Sequence, residues 1–361
     1  MHITQTTYLQ PGDKLGRPVF TETGRVLVGA GVELTAGMIR RLQELGIETV
    51  YVSDSRTDDI VPEDSVSDET RQRAVQMVHD TFSSMIEAKK WNRTISLSRL
   101  GTEFRKAFED ILHELQDRKE LLIHLSKIYT SSNYLYTHSV NVGIYSAALG
   151  MAVGLNRNQL IELGIGAMLH DIGKTMVPLE ILEKPGALTP AEFSEIKKHP
   201  TYGYDILREF PDIPLLSAHC ALQHHERIDG SGYPRGLKDN EIHLYGKIVG
   251  LADVYDALIS NRSYRKGYLP HEALDIIFAS TDKYDMDLMT KFRNHIVIYP
   301  VGMMVALSTG ERAVVVDVNS KHPHRPIVRV LKNEKGENVK PYEIDLSTHL
   351  SVMVTECEDP L

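Results

Sequence analysis

The stretch AMLHDIGKTMVP, residues 167–178, sets a histidine and an aspartate side by side at the end of an apolar, helix-like run, with a glycine and a lysine just after them. A helix end tolerates a polar pair in water, so the reading turns on whether other segments supply partners for His170 and Asp171. Four do. NYLYTHSVNVGIYSAALGMAVGL (133–155) carries His138 near the start of an apolar helix, and EIKKHPTYGYDIL (195–207) carries His199. LLSAHCALQHHERIDGSGYP (215–234) carries His224 and His225, and GKIVGLADVYDALISNRSYR (246–265) carries Asp253 in an otherwise apolar helix. The apolar spacing predicts helices in all five segments, and their polar residues are expected to meet.

Taken singly, each residue has an ordinary explanation. A histidine among apolar residues is commonly a satisfied core group, and Asp253, three residues before Asp256, could be a cap or an ion-pair partner. His219 lies well off the helical face of His224, so it and Cys220 read as core or surface residues. Seven independent coincidences are harder to accept, because ionised carboxylates are rarely buried without a partner. A metal supplies that partner to all seven together. Five imidazoles and two carboxylates without a thiolate suit Fe, Mn, Zn or similar ions and are too rich in nitrogen for Mg or Ca alone. Seven ligands exceed one open site. They suit two ions, with Asp171 as the natural bridging carboxylate. Two ions about 3.5–4 Å apart, sharing a hydroxide, are the usual apparatus for hydrolysing phosphate esters.

The nearby basic residues fit an anionic substrate. Lys174 lies one turn after Asp171, on the same face, and Asp171 and Lys174 are the expected catalytic pair. NRSYRKGY (261–268) places Arg262, Arg265 and Lys266 at the end of the Asp253 helix, where guanidinium forks can grip phosphate or a guanine edge. DGSGYPRG predicts a turn around Tyr233, whose role spacing alone leaves open.

The rest of the chain bounds this reading. Its 361 residues allow two or three cores, and a net charge of -9 argues against a nucleic-acid polymer as partner. No apolar run approaches the roughly 20 residues of a membrane span, and the N-terminus lacks the pattern of a signal peptide. Two distant cysteines, Cys220 and Cys357, suggest the reducing cytoplasm. His322 and His324 sit among turn residues and read as solvated.

The composition shifts three times. Residues 1–53 read as a small α+β module, with VLVGAGVEL before the helical TAGMIRRLQELGI and then ETVYVS. Residues 54–66, within DSRTDDIVPEDSVSDE, read as an acidic linker. Residues 67–298 read as one helical domain, including leading helices over 67–130, and residues 299–361 as a small β-rich module. Within the leading helices Phe104, Phe108, Ile111, Leu115, Leu122 and Leu125 follow a four-three rhythm broken at Arg118. This predicts either a coiled-coil seam of a homodimer or a helix packed on its own domain. The fold class is thus mainly α, flanked by the two small modules.

HDIGK (170–174), HHERIDGSGYP (224–234) and ADVYDALISNRSYR (252–265) closely resemble the HD-GYP family, a branch of the HD metal-dependent phosphohydrolases. KPGALT (184–189) and HPTYGYDIL (199–207) fit as well, and the likeness covers about residues 130–300. The resemblance implies an all-helical domain with two or three metal ions, commonly iron or manganese, acting on cyclic di-GMP to give pGpG and then GMP. It implies that His138, His170, Asp171, His199, His224, His225 and Asp253 are metal ligands and that Lys174 contacts phosphate. It also sets Gly232, Tyr233, Arg262 and Arg265 against the dinucleotide. Three-metal members have a Glu one helical turn before the first His ligand, where this chain has Tyr134, so two divalent ions are expected. The alternatives are an HD phosphohydrolase for another cyclic dinucleotide or nucleotide, and a non-catalytic cyclic di-GMP receptor.

Overall fold

The computed structural model describes residues 1–21, 26–47, 49–90, 99–117, 123, 134–182, 184, 186–260, 267–319 and 321–357. At the N-terminus, β1 (His2–Gln5), β2 (Lys14–Leu15) and β5 (Thr49–Ser53) form an antiparallel sheet in the order β1-β5-β2. A hairpin of β3 (Val19–Phe20) and β4 (Val26–Val28) lies beside it in sequence. The helix α1 (Ala36–Glu44) starts at Thr35, whose hydroxyl accepts from the Met38 amide, and it buries Ile39 and Leu42 in this module's core.

Residues 54–66, read as an acidic linker, pack against both neighbouring regions. Ile60 is buried with Met304, Val314 and Leu331 of the C-terminal module. Asp64, also buried, accepts from Arg17 at 3.1 Å and lies 3.6 Å from Arg71, itself only 1% exposed. The strap is held because its few apolar residues find a distant core and its acids find arginines from other elements. Composition within the stretch shows neither.

The strap leads into α2 (Asp68–Lys90) and α3 (Leu100–Gln116). Phe104, Phe108, Ile111 and Leu115 are all buried in the chain's own main core. A Cβ on Gly164 would come 2.1 Å from the Phe108 ring, so the missing side chain at 164 lets the two helices close. At these four positions the apolar row is therefore used within the domain and leaves no dimer seam. Arg118, Leu122 and Leu125 lie outside the described residues.

The central helix α4 (Tyr134–Ala152) packs on α5 (Arg157–Met168), which begins with a reciprocal cap between Asn156 and Gln159. A 3₁₀ turn over Ile172–Met176 follows. Then come α6 (Leu179–Leu182), α7 (Pro190–Ile196), α8 (His199–Leu207), α9 (Leu215–Gln223), α10 (Leu244–Ile259), α11 (Pro270–Phe278) and α12 (Met286–His295). α4 touches α2, α5, α10 and α12, which places His138 at the middle of the bundle. Among the described residues no helix is long and apolar enough to cross a membrane.

The C-terminal sheet is antiparallel throughout, in the order β10-β6-β7-β8-β9, with β6 (Met304–Leu307), β7 (Arg312–Asp317), β8 (Ile327–Lys332), β9 (Asn338–Asp345) and β10 (Val354–Cys357). Alternate residues of β7 and β8, such as Val315 and Val328, face its core. Its outer face meets the strap, where Arg329 bonds both carboxylate oxygens of Asp59 at 2.6 Å.

Candidate metal centre

Five separate elements bring the seven donors to one place. His138 comes from the second turn of α4, and His170 and Asp171 come from the link between α5 and the 3₁₀ turn. His199 opens α8, His224 and His225 directly follow α9, and Asp253 sits in the third turn of α10. Gly173 explains one of these junctions. A Cβ there would fall 2.0 Å from the His199 carbonyl oxygen and 2.5 Å from the Gly203 nitrogen, so only glycine lets α8 rest on the turn after Asp171.

The donors form two groups, His138 with His170 and Asp171, and His199 with His224 and His225, each within 4.8 Å. Both carboxylates span them. Asp171 Oδ2 lies 3.5 Å from His170 Nε2 and 3.9 Å from His138 Nε2, while Oδ1 lies 3.3 Å from His199 Nε2 and 3.8 Å from His224 Nε2. Asp253 Oδ1 lies 3.1 Å from His138 Nε2, and Oδ2 lies 3.8 Å from His225 Nδ1.

The far side of most rings is fixed. His170 Nδ1 donates to the Ala167 carbonyl at 2.7 Å, His199 Nδ1 to Ile196 at 2.7 Å, and His224 Nδ1 to Ala221 at 2.9 Å. With the proton on Nδ1, a neutral ring presents a bare Nε2 lone pair inward. His199 Nε2 and His224 Nε2 then face each other at 3.2 Å. His170 Nε2 and Asp171 Oδ1 are buried with no hydrogen-bond partner. An orphaned buried polar atom costs roughly 1–3 kcal/mol. Converging lone pairs and anionic oxygens are what divalent cations satisfy, so these residues fit two such ions.

The titration of the metal-free centre agrees. Burial lowers His170, His224 and His225 and pushes His199 down to about 4, which keeps these rings neutral and able to ligate. Burial would also lower His138, but its hydrogen bonds to the Asp253 and Asp256 carboxylates outweigh it and lift the ring to about 9. Burial disfavours the charged form of Asp171, yet Lys174 and the surrounding imidazoles hold it well below the usual carboxylate range. Asp253 is likewise held low, against burial, by His138 and His225. The centre without cations is thus two anions among mostly neutral rings.

Lys174 Nζ lies 2.5 Å from Asp171 Oδ2 and is partly exposed, at the edge of the cluster. Tyr233 stacks on His225 with ring centroids 4.6 Å apart, and the Lys197 ammonium lies 5.3 Å over the Tyr233 ring. At Gly232 a Cβ would fall 2.4 Å from the Arg227 nitrogen, so the loop lies against the His225 peptide only because 232 is glycine. Arg262, Arg265 and Lys266 fall outside the described residues, as does the side chain of Tyr134.

Sequence reasoning overlooked the supports. Glu226, 5% exposed, accepts from the Arg235 and Leu237 amides at 2.8 and 2.9 Å and so closes the loop that holds Tyr233. Arg227 donates to the His224 and Glu226 carbonyls at 2.9 and 2.8 Å while stacking on Tyr284. Asp256, to which the sequence reading gave no role, binds His138 at 2.7 Å. The HHER run itself was a signal, since an acid and a base directly after two clustered histidines have nearby backbone to bind. His219 packs edge-on to Tyr204 and Cys220 is buried, as expected of residues off the site, and His322 and His324 are exposed.

A family profile described as an HD domain matches residues 111–288, and one described as a KOW domain associated with HD domain matches residues 304–360. A cyclic di-GMP phosphodiesterase of Pseudomonas aeruginosa is 36% identical over 223 residues, 62% of this chain and 54% of that protein. One from Thermotoga maritima is 38% identical over 196 residues, 54% of this chain and 51% of that protein. A 3'3'-cGAMP-specific phosphodiesterase of Vibrio cholerae is 38% identical over 146 residues, 40% of this chain and 32% of that protein. The chain spans about half the length of the first two relatives. With the HD domain lying across the gathered donors and the HHERIDGSGYP loop closed over them, the chain belongs to the HD-GYP family.

Proposed function

We propose that this protein is a metal-dependent phosphodiesterase that opens cyclic di-GMP to pGpG, with GMP as the product of any further cleavage. The observation that carries this reading is the convergence of five imidazoles and two carboxylates, with inward nitrogens left bare, beside a lysine and a tyrosine that reach the rim. Two divalent ions, for which the family resemblance favours iron or manganese, would supply Lewis acidity and an acidified water at that place. His138, His170, Asp171, His199, His224, His225 and Asp253 would hold them, with Asp171 between the two.

The chain's own residues do the rest. Lys174 is poised to leave Asp171 for a non-bridging phosphoryl oxygen and to lend a proton to the departing 3′ oxygen. Water adds to phosphorus as the P–O3′ bond breaks, and the proton it gives up restores Lys174, which leaves a 5′-phosphate and a 3′-hydroxyl. Tyr233, fixed by its stack on His225 and by the tight turn at Gly232, forms one wall against the nucleotide. Arg262, Arg265 and Lys266 follow α10 in sequence and are proposed to grip phosphate or a guanine edge. The two cysteines are free thiols, one of them deep in the core, which fits the cytoplasm as the place of reaction.

A second substrate reading has one observation behind it: the likeness to the cGAMP-specific enzyme, whose shared region would use the same ion chemistry. The test is anaerobic purification with metal quantitation, then product analysis on both cyclic dinucleotides. Two ions per chain and conversion of cyclic di-GMP to pGpG are expected. Faster turnover of 3'3'-cGAMP would transfer the assignment to that substrate. Tight binding of either without turnover would make the protein a receptor.

A further inference from the structure

His138 is supported differently from the other Nε2 donors. His170, His199 and His224 each donate Nδ1–H to a backbone carbonyl three residues earlier, so secondary structure alone fixes their proton and aim. His138 Nδ1 instead meets the Asp256 carboxylate, 118 positions away, at 2.7 Å. That carboxylate is 1% exposed and is pinned in turn: Oδ1 accepts from Asn141 Nδ2 at 3.0 Å and Oδ2 from Ser260 Oγ at 3.3 Å. Asp256 stands one helical turn beyond Asp253, on the same face of α10. One helix therefore grips both ends of the ring, Asp256 at Nδ1 and Asp253 Oδ1 at 3.1 Å from Nε2.

We propose that Asp256 is a positioning residue that sets the tautomer and direction of His138 and thereby tightens only the half of the centre built on His138 and His170. The proposal rests on the reading of the site as a two-ion centre. A carboxylate behind a metal-bound histidine raises the basicity of the ligating nitrogen and holds the ring in its plane, and its loss typically costs about 10–100-fold in metal affinity. The group formed by His199, His224 and His225 contains no ring held by Asp256 and is supported through backbone carbonyls at two of its three members. The effect should therefore be confined to one ion.

The experiment loads full-length wild type, Asp256→Ala and Asp256→Asn with Mn²⁺, dialyses each against graded chelator and counts ions per chain. The melting temperature of each metal-free protein is recorded alongside. Asp256→Ala is expected to lose its first ion at about 10–100-fold lower chelator strength than wild type, while the second leaves where it does in wild type. Asp256→Asn keeps an acceptor for Nδ1–H without the charge, so it should fall between the two; it also serves if the alanine protein does not fold. Release of both ions at the wild-type chelator strength in the variants would overturn the proposal, as would joint loss of both ions in Asp256→Asn. Fewer than two ions in wild type would overturn the two-ion reading itself and this proposal with it, an outcome distinguishable because it precedes any substitution.

Discussion

Charged residues meet in two parts of this molecule on opposite terms. Between the helices, Asp171 and Asp253 are buried among imidazoles, and two donor atoms there lack any hydrogen-bond partner. Where the strap meets the C-terminal sheet, Arg329 is clamped by Asp59 and Glu343, whose side chains are 65% and 48% exposed, and each group could find water if the pair opened. The first arrangement costs folding energy unless a cation completes it. The second costs little and contributes little. Burial of unsatisfied polar atoms is thus the sign of a site, whereas ion pairing in itself is not.

The sharpest way to break this comparison is at Asp171. Asp171→Asn keeps the shape but removes the anion between the two donor groups, and turnover of cyclic di-GMP should fall about 10³-fold or more, equivalent to roughly 4 kcal/mol of transition-state stabilisation. Retention of more than a tenth of wild-type turnover in a metal-loaded variant would remove Asp171 from the chemistry.

Next in size is the apolar frame around the centre. Phe108→Ala should lower folding stability by about 3–5 kcal/mol, because the ring fills the space left by Gly164 and its loss leaves a cavity. Denaturant titration of the metal-free protein measures this, and a loss below about 1 kcal/mol would show that α3 and α5 can collapse together.

The pH dependence of the metal-free protein probes the buried rings directly. His199 titrates near 4 when folded and near 6.5 when unfolded, so the unfolded chain binds the extra proton between those values. That contribution is present above about pH 6.5 and is lost as pH falls towards 4. His138 works in the other direction: its folded value of about 9 gives stability below about pH 6.5 that is lost as pH rises through 9. Thermal melts of chelator-stripped protein from pH 4 to 10 should therefore peak between these limits. A curve still rising at pH 10 would contradict the grip on His138.

The smallest effect is expected at the clamp. Arg329→Ala should change stability by about 1 kcal/mol or less, since its acidic partners stay solvated. A loss of several kcal/mol would mean that the strap is held on the C-terminal sheet through this contact, and the contrast with the helical centre would weaken.

The helical period, the seven donor types and their order were all present in the sequence, because each is a local property. His170 beside Asp171, His224 beside His225 and Asp253 on an apolar helix announce a polar centre whatever the path between them. The chemistry of that donor set narrowed the ions without any coordinates. The α3 row was ambiguous for a physical reason: an apolar stripe is equally able to cover a neighbouring helix or a second copy, and Gly164 on another helix decided between them.

Other features depend on what approaches from far along the chain. Composition marked 54–66 as an acidic linker, and only the structure shows that Arg17, Arg71 and Met304 pair with it and cover it. The spacing of Asp253 and Asp256 permits a cap, a surface pair or a grip on a histidine, and only the packing of α10 against α4 chose the last. Residue type and spacing determine what a segment can bind. The tertiary structure decides which of those partners comes within about 3 Å, because hydrogen bonding is short-ranged and packing of distant helices sets that distance.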